Sequence, residues 1–146
     1  MKKLVVTLML SSIVLCSVNI HAQQLTVDCF SFAVPDEYTS FGDTDVLSNG
    51  KGIVSFLVNS SEEIDTEDEY KAYLELMASA FYDDCYSYTV SYGTKNAIHY
   101  IKFHGFYDTK INDTFVVSAN GKTMTIFGID ATEAVDNIHN SICLAQ

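Results

Sequence analysis

Asn120-Gly121 separates two runs of alternating apolar and polar residues, 114–119 and 122–129. Asn-Gly readily adopts the positive φ angles of a type I′ turn, whose twist matches that of two antiparallel strands joined by two residues. A second dipeptide of the same kind, Asn49-Gly50, lies between two further short apolar runs. Both dipeptides predict β-hairpins, so we expect antiparallel pairing to organise the sheet.

The same alternation predicts strands elsewhere in the chain. Residues 29–34 place Phe30, Phe32 and Val34 on one face before Pro35 ends the run. In chain order, the predicted strands are 29–34, 45–48, 52–59, 85–93, 97–106, 114–119 and 122–129.

Two segments carry a helical pattern instead. Thr66 and Glu69 have capping-box spacing, in which each side chain bonds to the backbone N–H of the other residue. Asp130 and Glu133 repeat this spacing before a closing helix that includes Cys143. Apolar stripes at intervals of three and four residues follow both starts, formed by Tyr70, Leu74, Met77 and Phe81 and by Val135, Ile138 and Ile142.

The predicted order of elements is three strands, a helix, four strands and a second helix, or βββαββββα. Two helices are too few to cover both faces of a doubly wound parallel sheet. We therefore expect an α+β fold in which an antiparallel sheet of about six to seven strands carries both helices.

The segment Phe30-Ser31-Phe32-Ala33-Val34-Pro35-Asp36-Glu37-Tyr38 resembles the opening strand of PsbP-like sandwich domains. Those domains have alternating apolar residues, then a proline, an acidic or small residue and an aromatic residue, and a similar order of elements. Glu37 stands where that family usually has glycine, and Tyr38 where it often has tryptophan. The resemblance implies a small exported or accessory domain that binds other proteins, and it implies no catalytic residue.

Residues 1–22 have the pattern of a secretory signal peptide. A basic start precedes the mostly apolar run 4–18, and Ala22 supplies the small residue before a cleavage site at Gln23. The apolar run is shorter than the ~20 residues of a membrane-spanning helix, so no integral membrane span is expected. We expect a single domain over residues 23–146, exported to the periplasm or the extracellular space.

The chain is strongly acidic, with 8 lysines, no arginine, 19 acidic residues and a formal net charge of −11. The predicted signal takes two lysines with it, which leaves a charge of −13. Such a surface repels nucleic acid and anionic lipid, and without arginine it has no bidentate group for phosphate. Nucleic-acid and phosphate-ligand functions are therefore the least favoured, and no nucleic-acid partner is expected. The charge indicates a solvated surface first, and attraction to a basic partner second.

An exported chain folds where disulfides can form. Cys16 lies in the predicted signal, and Leu15 stands where a lipoprotein cleavage box requires a small residue, which disfavours a lipid anchor. Cys29, Cys85 and Cys143 remain, so we expect one disulfide and one free thiol. The pair Cys29–Cys143 is favoured because it would join the two ends of the domain, with Cys29–Cys85 as the alternative.

No group of residues stands out as catalytic or metal-binding. Cys85 could combine with His99 or His104 as a nucleophile and its base, but Asp83 and Asp84 just before it disfavour a reactive thiolate. His99 and His104 are five residues apart in a predicted strand, so their side chains point to opposite faces rather than to one metal ion. We expect no enzyme activity, no metal site and no cofactor.

Calcium is the other cation that the acidic residues suggest. Asp43-Thr44-Asp45 and the acidic run 62–69 offer carboxylate ligands. Leu47, however, stands where an EF-hand needs an oxygen ligand, and the acidic run is explained as the start of a helix. A calcium site is therefore not predicted.

The tyrosines form the most suggestive pattern. Tyr86, Tyr88 and Tyr92 share one face of the predicted strand 85–93, and Tyr100 is expected alongside them on the next strand. An exposed face of this kind would be an aromatic platform for a partner or a glycan, whereas a buried one would be the floor under the first helix. Burial is favoured, because the opposite face of the strand is small and polar.

These observations predict a secreted or periplasmic, non-enzymatic binding or accessory protein of a bacterial cell envelope. Its expected partner is another envelope or secreted protein. One alternative is an inhibitor or immunity-type protein that docks an enzyme through an exposed edge strand or loop. The other alternative is a small hydrolase that uses carboxylates or Cys85.

Overall fold

The computed structural model of the chain describes residues 22–41, 45–59, 66, 68–69, 71–73, 85–107 and 109–146, without the side chains of 59, 85, 86 and 107. The predicted signal peptide up to residue 21, the calcium candidates at 43 and 44, and residues 74–81 of the first predicted helix lie outside the described residues. The described strands are β1 (Ala22–Val27), β2 (Phe30–Pro35), β3 (Thr39–Ser40), β4 (Val46–Ser48), β5 (Ile53–Asn59), β6 (Cys85–Lys95), β7 (Ile98–Tyr107), β8 (Lys110–Ala119), β9 (Lys122–Ile129) and β10 (Cys143–Leu144). The C-terminal helix is Thr132–Ser141.

The described strands pair into two antiparallel sheets. The larger sheet has seven strands in the order β3-β4-β5-β9-β8-β7-β6, and the smaller has three in the order β1-β2-β10. The α+β class and the antiparallel pairing agree with the sequence prediction, but the number and order of strands differ from it. β3 and β10 have two residues each, which is too short for an alternating pattern to show. β1 begins at Ala22, at the predicted cleavage site. Its first residues include two glutamines, so no alternation of apolar and polar residues indicated a strand there.

The strongest predicted hairpin is confirmed. Asn120 and Gly121 have φ angles of 55° and 71°, and Ala119 pairs with Lys122 across them, as in a type I′ turn. The same geometry occurs at Asn96-Ala97, where the φ angles are 51° and 62°. Sequence reasoning found no turn signal there, because alanine is disfavoured in the left-handed region by roughly 1–2 kcal/mol.

The hairpin at Asn49-Gly50 is also present, but its turn differs from the predicted one. Ser48 pairs with Ile53, which leaves a loop of four residues rather than two. The Asn49 side chain closes this loop, since its Oδ1 accepts hydrogen bonds from the backbone N–H groups of Lys51 and Gly52 at 3.0 and 2.7 Å. An asparagine side chain therefore does here what the backbone of a type I′ turn was expected to do.

The larger sheet has an inner face, which carries Phe56, Phe115 and Ile126, and an outer face, which carries Ile101 and Val116. The smaller sheet and the C-terminal helix both pack on the inner face and enclose the main apolar core with it. The fully buried rings in this core come from both layers and are Phe30, Phe32 and Phe115. The helix is fixed to β2 by a hydrogen bond of 2.7 Å from the backbone N–H of Ala33 to Ser141 Oγ.

The start of the first predicted helix is confirmed. Residues 68–69 and 71–73 are helical. The backbone N–H of Thr66 donates to Glu69 Oε2 at 2.9 Å, and the backbone N–H of Glu69 donates to Thr66 Oγ1 at 3.3 Å. This is the reciprocal arrangement of a capping box.

Tyr73 shows which face of the sheet this helical segment contacts. Its ring packs against Ile101 and Val116, and its hydroxyl lies 3.2 Å from Thr125 Oγ1. All three contacts are on the outer face. The segment and the C-terminal helix therefore lie on opposite faces of the larger sheet.

The C-terminal helix differs from its prediction at both ends. Asp130 does not cap it: this residue has a φ of 50°, and its Oδ1 accepts a hydrogen bond of 2.9 Å from the backbone N–H of Ile111. The N-cap position is Ala131, which makes no side-chain capping bond. The helix ends at Ser141, and Cys143 lies in β10 rather than in the helix as predicted.

The Asn120-Gly121 turn yields a test of the fold. Gly121→Ala should lower the free energy of unfolding by about 1 kcal/mol, because a Cβ is disfavoured at a positive φ. Ala97→Gly is the matched reverse change and should be neutral or stabilising by up to about 1 kcal/mol, since relief of strain is offset by a freer unfolded chain. Urea unfolding followed by circular dichroism measures both. A G121A protein as stable as the parent would contradict the turn geometry.

Candidate functional site

β6 stands at one end of the larger sheet, where β7 is its only neighbour among the described strands. It has 11 residues, whereas β3 at the opposite end has two. Residues 87–92 are exposed on both faces of the strand. A long edge of this kind presents a row of backbone N–H and C=O groups to which another strand can add.

Tyr88, Val90 and Tyr92 lie on the outer face of β6, where they are 60%, 38% and 46% exposed. The Tyr88 ring stacks on Phe103 with the centroids 5.4 Å apart, so it is held against the sheet while its other side faces solvent. The predicted burial of these tyrosines is wrong, because alternation defines the two faces of a strand but not its place in the sheet. The side chain of Tyr86 lies outside the described part of the chain.

Tyr100 does not join these tyrosines. The register pairs it with Gly93, one residue out of step with Tyr92, so its side chain is on the inner face. There its ring packs against His139 and Phe115, with centroid distances of 4.8 and 5.8 Å. Tyr100 is therefore part of the inner packing and not of the predicted binding face.

A polar pocket of about 300 Å³ lies on the inner face, between β6, β7 and the first turns of the C-terminal helix. Its floor consists of side chains that alternate along the two strands, and its wall comes from the helix. The residues that line the pocket are Thr89, Ser91, Lys102, His104, Thr132 and Asp136. Hydroxyl groups, an ammonium, an imidazole and a carboxylate thus converge on one cavity.

His104 is held in place from behind by Asp113. His104 Nδ1 lies 2.6 Å from Asp113 Oδ1, and Thr132 Oγ1 donates to Asp113 Oδ2 at 2.7 Å. The Asp113 side chain is fully buried, and that of His104 is 31% exposed. The carboxylate accepts from both neighbours, so Nδ1 carries a proton and Nε2 is the ring nitrogen available to a molecule in the pocket.

Lys102 and Asp136 form the second polar pair of the pocket. The Lys102 ammonium donates to Asp136 Oδ1, and the two side chains are 17% and 47% exposed. The Asp136 carboxylate is half exposed, whereas the Lys102 side chain is largely buried. Because a carboxylate has several acceptor positions, Asp136 can accept from a ligand as well as from Lys102.

The two histidines that were considered for a metal point to opposite faces, as predicted. His99 is on the outer face of β7, with its Nδ1 3.0 Å from Thr94 Oγ1, and His104 is on the inner face. Within the described residues, no group of three or more His, Cys, Asp or Glu side chains could hold a metal ion.

Cys29 is a free thiol, so the favoured bridge to Cys143 is not formed, and neither is the alternative to Cys85. Cys143 is itself disulfide-bonded, to a partner outside the residues whose side chains are described. Burial and the neighbouring Asp28 carboxylate raise the pKa of Cys29, although Lys122, which binds Asp28, lowers it in part. A raised thiol pKa indicates a poorly nucleophilic cysteine. The hypothesis of a Cys85 nucleophile concerns a side chain outside the described part.

His139 in the C-terminal helix packs edge-on against Tyr100 and Phe115, and its Nε2 is buried without a hydrogen-bond partner among the described residues. Burial lowers the pKa of His139, and the positive charges of Lys102 and Lys95 lower it further. Asp136 opposes this effect in part. The ring is therefore neutral at pH 7.

Sequence reasoning noticed His104 but missed the other members of its site. Asp113 lies in β8, and Thr132 and Asp136 lie in the C-terminal helix, so only the strand register and the helix position bring these ordinary polar residues to His104. One signal was present: Asp113 interrupts the apolar alternation that leads into 114–119, so a polar side chain had to face the core.

The outer face carries a second cavity of a different kind. It has a volume of about 490 Å³, and its lining includes Leu57, Thr114, Phe127 and Ile129. Leu57 is 61% exposed and Ile129 is 38% exposed. This cavity is mainly apolar, although Asn112, Asp113 and Thr114 also line it. The polar pocket has the richer set of charged and hydrogen-bonding groups.

No protein-family model matches the chain, and no curated protein matches it either. The resemblance to PsbP-like domains consequently stays a prediction. Within the described residues, no helix combines the length and the apolar character needed to cross a membrane.

The two polar pairs are expected to differ in their effect on stability. Asp113→Ala should lower the free energy of unfolding by about 2–3 kcal/mol, because it removes two hydrogen bonds to a buried carboxylate. Asp136→Ala removes one hydrogen bond to a half-exposed carboxylate and should cost less, about 1 kcal/mol. Urea unfolding at neutral pH separates the two. Equal losses would show that the burial of Asp113 has no energetic role.

The buried His139 predicts a dependence of stability on pH. Its pKa is lowered in the folded protein, so between 6.5 and that lower value the unfolded chain binds a proton that the folded chain does not. The free energy of unfolding should therefore fall as the pH drops below 6.5. His139→Phe removes the titrating group and should flatten this fall, whereas the control His99→Gln should retain it. Urea midpoints of the parent, His139→Phe and His99→Gln proteins, measured from neutral pH to below 6.5, test this dependence.

Proposed function

We propose that the chain is a non-enzymatic binding protein of the cell envelope that docks another exported protein along β6. The observation that carries this proposal is the length and exposure of that strand. Export itself rests on the predicted signal peptide. The PsbP-like resemblance of residues 30–38 points to the same class of accessory protein.

The composition of β6 supports a role in strand addition. Edge strands that must stay single are usually short, carry lysine or proline, or contain a bulge. From Ser87 to Thr94 the strand has none of these features; its register shift lies before Ser87, and its lysine is Lys95 at the far end. β3, the strand at the other end of the sheet, is protected by its length of two residues. Among the described strands, one end of the sheet is therefore a short strand and the other is a long, exposed one.

The side chains indicate what kind of strand would fit. An added strand would place every second residue next to Tyr88, Val90 and Tyr92, so apolar or aromatic residues at those positions would gain the most contact. The strand itself is uncharged from Ser87 to Thr94, while the chain as a whole is strongly acidic. A partner with a basic surface around an apolar strand is favoured by this charge.

An inhibitor or immunity-type role would use the same edge and differs only in the identity of the partner. If that partner is an enzyme whose activity falls on binding, this form of the proposal is the correct one.

Site-specific cross-linking tests the proposed docking edge. The photoreactive residue p-benzoylphenylalanine at position 90 should cross-link one exported protein of the native envelope or secreted fraction. The matched control places it at position 57, because Leu57 is equally apolar, is also exposed on the outer face and lies in β5, away from the edge. Cross-links from both positions, or from neither, would contradict docking along β6.

A charge substitution provides the quantitative test. Val90→Lys should weaken binding of the purified cross-linked partner at least about tenfold, since lysine on an edge opposes strand addition. Leu57→Lys should leave the affinity unchanged. Dimers of the chain as the sole cross-linked product would overturn the proposal of a different partner.

A further inference from the structure

The polar pocket balances hydrogen-bond donors against acceptors. The Lys102 ammonium only donates, the Asp136 carboxylate only accepts, and the Thr89 and Ser91 hydroxyls do both. A simple anion in this pocket would be repelled by the Asp136 carboxylate, and a simple cation would be repelled by the Lys102 ammonium. A neutral molecule with two adjacent hydroxyl groups has no such conflict, because one hydroxyl can donate to Asp136 while the next accepts from Lys102.

An apolar ring contacts His104 just outside the residues that line this polar pocket. Phe106 lies two residues beyond His104 on the same face of β7 and is 45% exposed. The rings of Phe106 and His104 meet edge to face with their centroids 5.4 Å apart. A molecule that fills the pocket and extends past His104 therefore meets hydroxyl, ammonium and carboxylate groups first and an exposed aromatic ring beyond them. The matching ligand has polar edges and an apolar C–H face.

The imidazole of the pocket is positioned before any ligand arrives. Asp113 and Thr132 hold His104 from the buried side, and Nε2 is left for the pocket. A fixed polar group raises affinity, because little freedom is lost when the ligand binds. The volume of about 300 Å³ is at the small end of ligand pockets and suits a single sugar ring.

We propose that this pocket binds a neutral saccharide, with adjacent ring hydroxyls between Lys102 and Asp136 and the C–H face of the ring against Phe106. His104 Nε2 accepts from a further hydroxyl. The proposal rests on the residues of the pocket and does not require docking along β6.

The test is a titration of the isotope-labelled chain with glucose, galactose, mannose and N-acetylglucosamine, followed by amide NMR. At least one sugar should shift the amides of Thr89, Ser91 and Lys102. Sodium acetate and methylammonium chloride, the matching simple ions, should not. No shift with any of the four sugars up to their solubility limits would overturn the proposal.

Variants show whether the shifts come from the proposed contacts. Lys102→Met and Asp136→Asn should each weaken the binding of the sugar at least about tenfold, as should Phe106→Ala. The amide spectrum of each variant without sugar checks that the variant keeps the parent fold. The control Lys51→Met removes a lysine from an exposed loop and should leave binding unchanged. Binding of acetate that becomes tighter in D136N would identify an anion site instead and overturn the proposal.

Discussion

The antiparallel register across β6, β7, β8 and β9 decides which side chains of this protein lie together. His104, Asp113 and Gly128 are direct partners in one row of the sheet. A slip of one residue in any of these strands would send that strand's member of the row to the outer face. Gly128 has a particular role, since a Cβ at this position would lie 2.6 Å from a methyl group of Val135. Its absence lets the C-terminal helix approach the sheet closely and brings Thr132 onto Asp113.

The layer above the inner face explains why the pocket is polar and open. β2 lies in the middle of the smaller sheet, and Phe30, Phe32 and Val34 are fully buried. With the helix, this layer encloses the inner-face residues of β5, β7, β8 and β9, such as Phe115. None of the described side chains of β6 belongs to the main core. The polar residues of β6 are thus left beside the helix in a space that water can enter.

The sequence predicted the individual strands and turns far better than it predicted which elements pair or pack together. Both predicted hairpins and the capping box at Thr66 are present, because each depends on residues adjacent in the chain. The second sheet was missed, since β10 has two residues and pairs with a strand more than a hundred positions away. The cap predicted at Asp130 was wrong, because a backbone N–H of a neighbouring strand takes its carboxylate.

At the candidate site, too, the sequence predicted local patterns but not the contacts between elements. Alternation correctly sorted Tyr88 and Tyr92 from the serines and threonines of β6, and it correctly separated His99 from His104. It could not show that β6 is an edge strand, so Tyr88 and Tyr92 were predicted to be buried although they are exposed. Nor could it place Asp113 behind His104, because that contact depends on a pairing register that local sequence does not encode.

The two proposed sites share one strand, and this has a thermodynamic consequence. A strand added to β6 would set its inner-facing side chains next to Thr89 and Ser91, at the open side of the pocket. A sugar in the pocket and a partner on the edge would therefore be neighbours rather than remote from each other. If their contact is favourable, each raises the affinity of the other by the same factor, and if they collide, each lowers it equally. The sign of that coupling is set by the partner residues that flank Thr89 and Ser91. The tyrosines of the outer face do not affect it, because the sheet lies between them and the pocket.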